Sequence, residues 1–481
     1  MTPARRVLIA GAAGNFVEWY EFGVYGCLAT VLAERFFTPA RETGPAGAGP
    51  LLATYASFAV AFFLRPAGAL LFGRLGDRVG RRPTLILVVG LMTLATTLIG
   101  LLPTRATAGA AAPWLLTLLR ALQGLSAGGE FGGAVALMTE QAPPGRRGRH
   151  GAWQSFTVAL GLLAGAGTAT LLAVLLPPQA LTAWGWRIPF LLALPLGLTA
   201  LTLRTTLPEP PTPAPAPPPA PAPAPALAPV SPPASAPASA VGPAPASDPA
   251  PVSAPGLPPR PGPAPGRGLG SGPGAGAVGG PGGAVVTVRA VFLGVGRIMG
   301  WSAAGYTFLV VLPSYLQATL GASLREALAA TALANLGFAA SILPAGILSD
   351  RVGRRPVMLG GALTVTLLAL PLLHLLQDPA APAPAKAAAV CGAGAAVGLL
   401  AGPGPAMLAE MFPAHVRCTG LGVAYALANA VFSGCAGLVV TALSAATGDT
   451  DVPAYYAAGA CALSALALAG LRGDDHRRAL R

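Results

Sequence analysis

The stretch Val7–Gly26, "VLIAGAAGNFVEWYEFGVYG", supports two incompatible folds. An apolar run followed by Gly-Ala-Ala-Gly reads as a strand feeding a dinucleotide-binding turn. The same letters read as the start of a membrane helix that carries two glutamates. The first reading fails on its own terms. The dinucleotide fingerprint needs a third glycine where Val17 stands, and it needs a βαβ unit around it. More apolar sequence follows instead, and then a second run long enough to cross a bilayer.

Composition points the same way. Charged residues make up 10% of the 481-residue chain and apolar residues 53%, against about 25% charged in an ordinary soluble domain. A soluble protein of this length would lack the polar surface to cover itself. The net charge of +13 comes almost wholly from arginine, but nucleic-acid binding needs basic patches interleaved with stacking aromatics. Here the arginines form short clusters between long apolar runs, a pattern of membrane topology, so no nucleic-acid partner is expected.

A hydrocarbon core about 30 Å thick takes roughly 20 helical residues to cross. By that ruler the sequence predicts twelve spans, near 14–37, 51–73, 84–103, 113–141, 151–176 and 186–204, then 289–316, 325–348, 357–376, 386–408, 418–443 and 453–471. The expected fold is an all-α membrane protein, twelve transmembrane helices in two six-helix bundles, residues 1–204 and 289–481. One set of alternate loops holds Arg5/Arg6, Arg74/Arg78/Arg81/Arg82, Arg146/Arg147/Arg149, Arg351/Arg354/Arg355, Arg417 and the tail arginines. The positive-inside rule makes that set cytoplasmic, with both termini, in the cell membrane. No cleavable signal peptide is expected, because glutamates interrupt the first apolar region.

Residues 205–288 are a different material, rich in Pro, Ala and Gly. Such a composition cannot sustain a helix or sheet ladder, so a disordered cytoplasmic linker is expected, with a docking role for a proline-recognising partner as the lesser reading. The five cysteines form no CxxC pair and read as small packing residues. No metal site and no cofactor is expected.

After the second span comes "GRLGDRVGRRP" (Gly73–Pro83), and after the eighth "GILSDRVGRRP" (Gly346–Pro356). A repeat in corresponding positions of two halves indicates a transporter built from duplicated bundles, with its substrate site between them. The pattern resembles the signature of the major facilitator superfamily, and it occurs twice. Its residues here are Gly73, Asp77, Arg78, Gly80, Arg81 and Arg82, then Asp350, Arg351, Gly353, Arg354 and Arg355. Asp77 and Asp350 lie where a carboxylate meets a neighbouring helix N-terminus or an arginine. Such contacts close the cytoplasmic side and bias the two states of alternating access. Of the two, Asp77 is the stronger candidate latch.

"GNFVEWYEFGVYG", "FFLRPAGALLFGRLGDRVGRR", "LLRALQGLSAGGEFGGA", "GWRIPFLL" and "AEMFPAHVRCTG" together resemble the metabolite:proton symporter family. The resemblance implies inward transport, with protons, of metabolites such as proline, betaine, 2-oxoglutarate, citrate or shikimate. That family usually has Asp where this chain has Glu21, which moves the carboxylate by one methylene. Its osmosensing members carry a coiled-coil tail, and "LRGDDHRRALR" shows no heptads. Antiporters of the superfamily usually show Gly-Pro in the fifth span; "ALGLLAGAGTATLL" (Ala159–Leu172) has no proline, which disfavours efflux. A receptor would need a signalling module. An enzyme would need a P-loop, metal cluster or nucleophile–base set, and the sequence offers none.

Ionisable groups inside spans cost at least about 2.5 kcal/mol each, so they mark function. Glu18, Glu21 and Glu130 are the proton-coupling candidates, with Glu130 and Glu18 ahead of Glu21. Asn15, Arg65, Arg120 and Arg297 are candidates to bind substrate or to pair with these carboxylates, since a guanidinium grips a carboxylate in bidentate fashion. Glu140 and Glu410 lie at span ends and are expected to be solvated, and His374, the lone histidine of the ninth span, is expected to be a satisfied bundle residue. The expectation is a proton-coupled importer of a small polar metabolite, a carboxylate first and a zwitterionic osmolyte second, working as a monomer in the lipid bilayer.

Overall fold

The computed structural model describes residues 3–39, 48–79, 81–128, 130–140, 142–143, 145–205, 281–413 and 416–471. Among them every regular element is helical. Ten helices among the described residues are long and apolar enough to cross a membrane. A backbone in hydrocarbon must satisfy its own hydrogen bonds, which a helix does within one segment. Two further helical stretches, within 3–37 and 111–140, complete the twelve spans in two six-helix bundles.

In the first half α1 is Pro3–Cys27, continued by Ala29–Leu32 and the wider i→i+5 turns of Ala33–Phe37. Next come α2 (Ala48–Val79), α3 (Arg81–Leu101), α4 (Ala111–Ala127, resumed at Glu130–Glu140), α5 (Arg147–Leu175) and α6 (Arg187–Thr205). In the second half α7 is Pro281–Tyr306, continued through Thr307–Val311 and Leu312–Ala318. It is followed by α8 (Leu324–Val352), α9 (Arg354–Gln377) and α10 (Ala383–Ala401, then Gly404–Met411). Last are α11 (Arg417–Ala428, Asn429–Gly434, Ala436–Thr447) and α12 (Val452–Ala469). The chain 206–280, which holds most of the expected linker, lies outside the described residues.

Two sequence features explain how closely the helices pack. Methyl groups at Gly124 and Gly128 of α4 would overlap the Ala61 and Arg65 carbonyls of α2. Small residues let backbones approach in lipid, where packing rather than water exclusion drives association. The second is the repeated turn. Gly353 has φ +101°, a conformation that favours glycine, and it separates α8 from α9 by one residue. Large apolar side chains such as Trp114, Leu118, Leu367 and Leu466 face outward, as a lipid-facing surface requires.

Candidate functional site

The charged residues of α1, α2 and α4 converge. Glu18 is buried on α1, and its Oε1 lies 3.0 Å from Nη2 of Arg65 on α2. Arg120 of α4 is 1% exposed and donates from Nη1 to Oε1 of Gln123 at 2.8 Å. Gln123 in turn donates from Nε2 to Thr96 Oγ1 on α3 at 2.5 Å and reaches Glu21 Oε2 at 3.5 Å. Oε1 of Glu21 has no hydrogen-bond partner. The two carboxylates of α1 therefore have different company: Glu18 has a guanidinium, and Glu21 has an amide.

Aromatic rings fill the space between the arginines. Phe22 is fully buried, with Arg65 4.8 Å and Arg120 4.9 Å from its ring centre. Arg65 also lies 4.5 Å from the Phe62 ring, and Arg120 lies 4.1 Å from Tyr25 and 4.7 Å from Phe58. A cation–π contact contributes about 0.5–1 kcal/mol when exposed and about 2 kcal/mol when desolvated. The rings thus solvate cations that the bilayer interior would otherwise exclude. Tyr306 of α7 closes the cluster from the other half, 5.4 Å from Phe62 and 6.2 Å from Trp19.

A cavity of about 30 Å³ opens beside this cluster. Asn15, Glu18, Trp19 and Arg65 line it together with Phe131 of α4 and Tyr425 of α11. It therefore straddles the two halves. The Phe131 and Tyr425 rings stack with centroids 3.3 Å apart across that boundary. A space of this size takes one or two water molecules, so the cavity must widen to admit a metabolite.

Both ends of the bundle are closed by contacts between the halves. At the arginine-rich end, Asp350 accepts from the backbone N–H groups of Gly148 (2.7 Å) and Arg149 (2.9 Å), in the first turn of α5. Arg354 donates to Asp350 at 2.8 Å and to Glu410 at 3.1 Å, and Arg147 lies 3.6 Å from Glu410. Arg417 donates to Glu140 at 2.6 Å, joining α11 to α4. At the opposite end Tyr55 bonds Ser314 at 2.5 Å and Thr30 donates to Gln317 at 3.0 Å. There Arg325 of α8 also donates to the carbonyls of Ala173 and Val174, each at 3.2 Å.

The structure thus brings Glu18, Glu21, Arg65 and Arg120 together, with Asn15 at the cavity wall, where it donates to Thr157 of α5 at 2.6 Å. Arg297 stands apart: it is buried on α7 and donates to the Ala467 carbonyl of α12 at 3.3 Å. Glu130 opens the second segment of α4, and its side chain lies outside the described residues, as do those of Asp77 and Arg81 and all of Gly80. Gly73 and the exposed Arg78 lie at the end of α2, and Arg82 donates to the last carbonyl of α6. In the second copy Arg351 and Arg355 are exposed.

One expectation changes. Glu410 is not solvated: its side chain is 6% exposed because two arginines enclose it. Asp350 is the helix-capping carboxylate of the second copy of the repeat, and the side chain of Asp77 in the first copy lies outside the described residues. His374 has a partner: its Nε2 meets Asp451 at 2.9 Å, and this hydrogen bond holds the Asp451 carboxyl below its ordinary value. Sequence reading also passed over Gln123 and Thr96. The available signal was a glutamine inside an apolar span three residues after Arg120, on the same helix face.

The family described as "Sugar (and other) transporter" matches residues 7–212, and "Major Facilitator Superfamily" matches residues 271–481. The glycine betaine/proline/ectoine/pipecolic acid transporter of Dickeya dadantii is 31% identical over 459 residues, 94% of this chain and 80% of that one. The alpha-ketoglutarate permease of Escherichia coli is 31% identical over 440 residues, 91% of this chain and 86% of that one. The crystal structure of a D-xylose–proton symporter superposes over the full length of both chains with a TM-score of 0.69, at 18% identity. Full-length relatives, the shared fold and the twice-repeated turn converge on one assignment: the chain is a multi-pass membrane transporter of the major facilitator superfamily, in its metabolite:proton symporter family.

Proposed function

We propose that the chain imports a small carboxylate-bearing metabolite together with protons across the cell membrane, and that within this class it takes a zwitterion. The observation that carries this reading is the cavity wall. It presents an ion pair, the Arg65 guanidinium and the Glu18 carboxylate, beside the rings of Trp19, Phe131 and Tyr425, and a zwitterion entering the widened cavity supplies each partner with a replacement charge as it separates the two. A guanidinium binds a carboxylate, while a carboxylate and aromatic faces bind an ammonium. Substrates of that dual character include those named for the Dickeya relative, such as betaine and proline. A dicarboxylate of the kind carried by the permease relative is the second reading, with Glu18 neutralised by a proton.

Glu21 is the proposed proton carrier. Glu18 is engaged by Arg65, whereas Glu21 is 1% exposed and has one oxygen without a partner. A buried carboxylate is costly unless paired, and a proton removes that cost. Opening to the outside loads the proton and the substrate; opening to the inside hydrates the site and releases both. The arginine-rich end is then the cytoplasmic gate, with Asp350 as its latch.

The test is uptake of labelled betaine, proline, 2-oxoglutarate, citrate and shikimate into proteoliposomes with an inward proton gradient. Gradient-driven uptake of betaine or proline, competed poorly by the dicarboxylates, supports the zwitterion reading. Uptake of 2-oxoglutarate alone moves the second reading ahead. Equal uptake with and without the gradient rejects proton coupling.

A further inference from the structure

We infer that Gln123 is a positioning residue for proton coupling: it holds Arg120 off Glu21, so that the glutamate exchanges its proton instead of being locked in an ion pair. This rests on the reading of Glu21 as the proton carrier.

The amide has one permitted orientation. Arginine carries donors only, so the group facing Arg120 Nη1 at 2.8 Å must be the Gln123 carbonyl. The NH₂ then points to the other side, where Thr96 Oγ1 accepts at 2.5 Å and Glu21 Oε2 lies at 3.5 Å. Thr96 is itself anchored, donating to the Met92 carbonyl of α3 at 3.0 Å. Gln123 is 1% exposed, so water does not compete for these bonds. Arg120 is restrained on its other faces by the rings of Tyr25, Phe58 and Phe22.

The groups facing Glu21 are therefore Thr96 from α3, Gln123 and the charge of Arg120 from α4, and Glu18 and Tyr20 from α1 itself, with Arg65 of α2 taken up by Glu18. Arg120 is the cation among them that Glu18 does not already engage. Its charge acts on Glu21 through a neutral spacer. Remove the spacer and the guanidinium can close on the carboxylate. A buried ion pair is expensive to break, because each partner left alone is an uncompensated charge. A pair that stayed closed would hold the glutamate in its charged form and keep it from taking up a proton. The amide also serves both forms of the glutamate, since its N–H donates to a carboxylate or to the carbonyl oxygen of a protonated carboxyl.

Infrared pH titration of the full-length protein in lipid tests this without knowledge of the substrate. The carbonyl stretch of a protonated carboxyl is followed in wild type, Glu21→Gln, Gln123→Met and Thr96→Val. A titrating band absent from Glu21→Gln belongs to Glu21. In Gln123→Met, which keeps the volume and removes the amide, that band is expected to disappear at a pH about one unit more acidic, a tenfold change in proton affinity. Thr96→Val, which frees the amide from another helix, is expected to move it in the same direction by less, and it provides the comparison if Gln123→Met does not fold. A Glu21 band that titrates identically in wild type and in the folded variants overturns the role of Gln123. Absence of any Glu21-dependent band in the wild type overturns the proton-carrier reading beneath it.

Discussion

Arg325 and Asp350 lie at opposite ends of α8 and hold opposite ends of α5. Asp350 accepts from the first-turn N–H groups of α5, and Arg325 donates to its last-turn carbonyls. The charges match the helix dipole, an anion at the N-terminus and a cation at the C-terminus. One helix pair thus carries a clasp at each mouth of the transporter. Alternating access requires that one clasp open while the other stays shut, so their relative strengths set the balance between the two open states.

Asp350→Asn is accordingly expected to favour opening at the arginine-rich end, and Arg325→Ala to favour opening at the other. Charge-assisted bonds of this kind contribute about 1.5–3 kcal/mol each, enough for a roughly tenfold population shift. Spin-label distances across each mouth measure it. Movement of both mouths in the same direction in either variant would contradict the clasp arrangement.

The Glu18–Arg65 pair supports a second expectation. Arg65→Ala leaves the Glu18 carboxylate in a dry site without its guanidinium, and breaking such a pair costs about 3–5 kcal/mol. Adding Glu18→Gln to Arg65→Ala should recover a large part of that loss. Arg65→Lys should retain the charge but lose the planar packing on Phe62 and Phe22, giving weaker substrate binding with less loss of stability. Thermal unfolding in detergent and substrate affinity separate these outcomes. Additive losses in the double variant would remove the pair from the description.

Outside the membrane span, Asp451 links α12 to α9. His374 and Gln377 both bond it, at 2.9 Å and 2.8 Å, and the His374 bond is the main reason its carboxyl lies below the ordinary value. A depressed carboxyl contributes stability that is complete above its unfolded value, about 3.9, and lost as pH falls through the folded value. Asp451→Asn is therefore expected to lower the melting temperature slightly at neutral pH, with the difference from wild type shrinking in acid. A difference that grows as pH falls would reverse the assigned sign.

Much of this was legible in the chain. Lipid forces long uninterrupted apolar runs, so the ten helices with few charges sit close to their expected positions. Glu18 and Glu21 on α1 and Arg120 on α4 lower the hydropathy of these two spans, so composition marks them less strongly than the others. Spacing put Glu18 and Glu21 near one face of α1, but only packing shows that Arg65 goes to Glu18 and that a glutamine stands between Glu21 and Arg120. A neutral amide has no sequence signal comparable to a buried charge. Burial of Glu410 was hidden for a related reason, since a glutamate at a span end gives no sign of the arginines that two other helices bring to it.

The most direct test of the proton-coupled reading is substrate-induced proton movement in proteoliposomes containing wild type or Glu21→Gln, recorded with betaine and proline. Proton influx on substrate addition in wild type, abolished in Glu21→Gln while substrate exchange at equal concentrations persists, is the predicted result. Undiminished proton influx in a folded Glu21→Gln protein would contradict it.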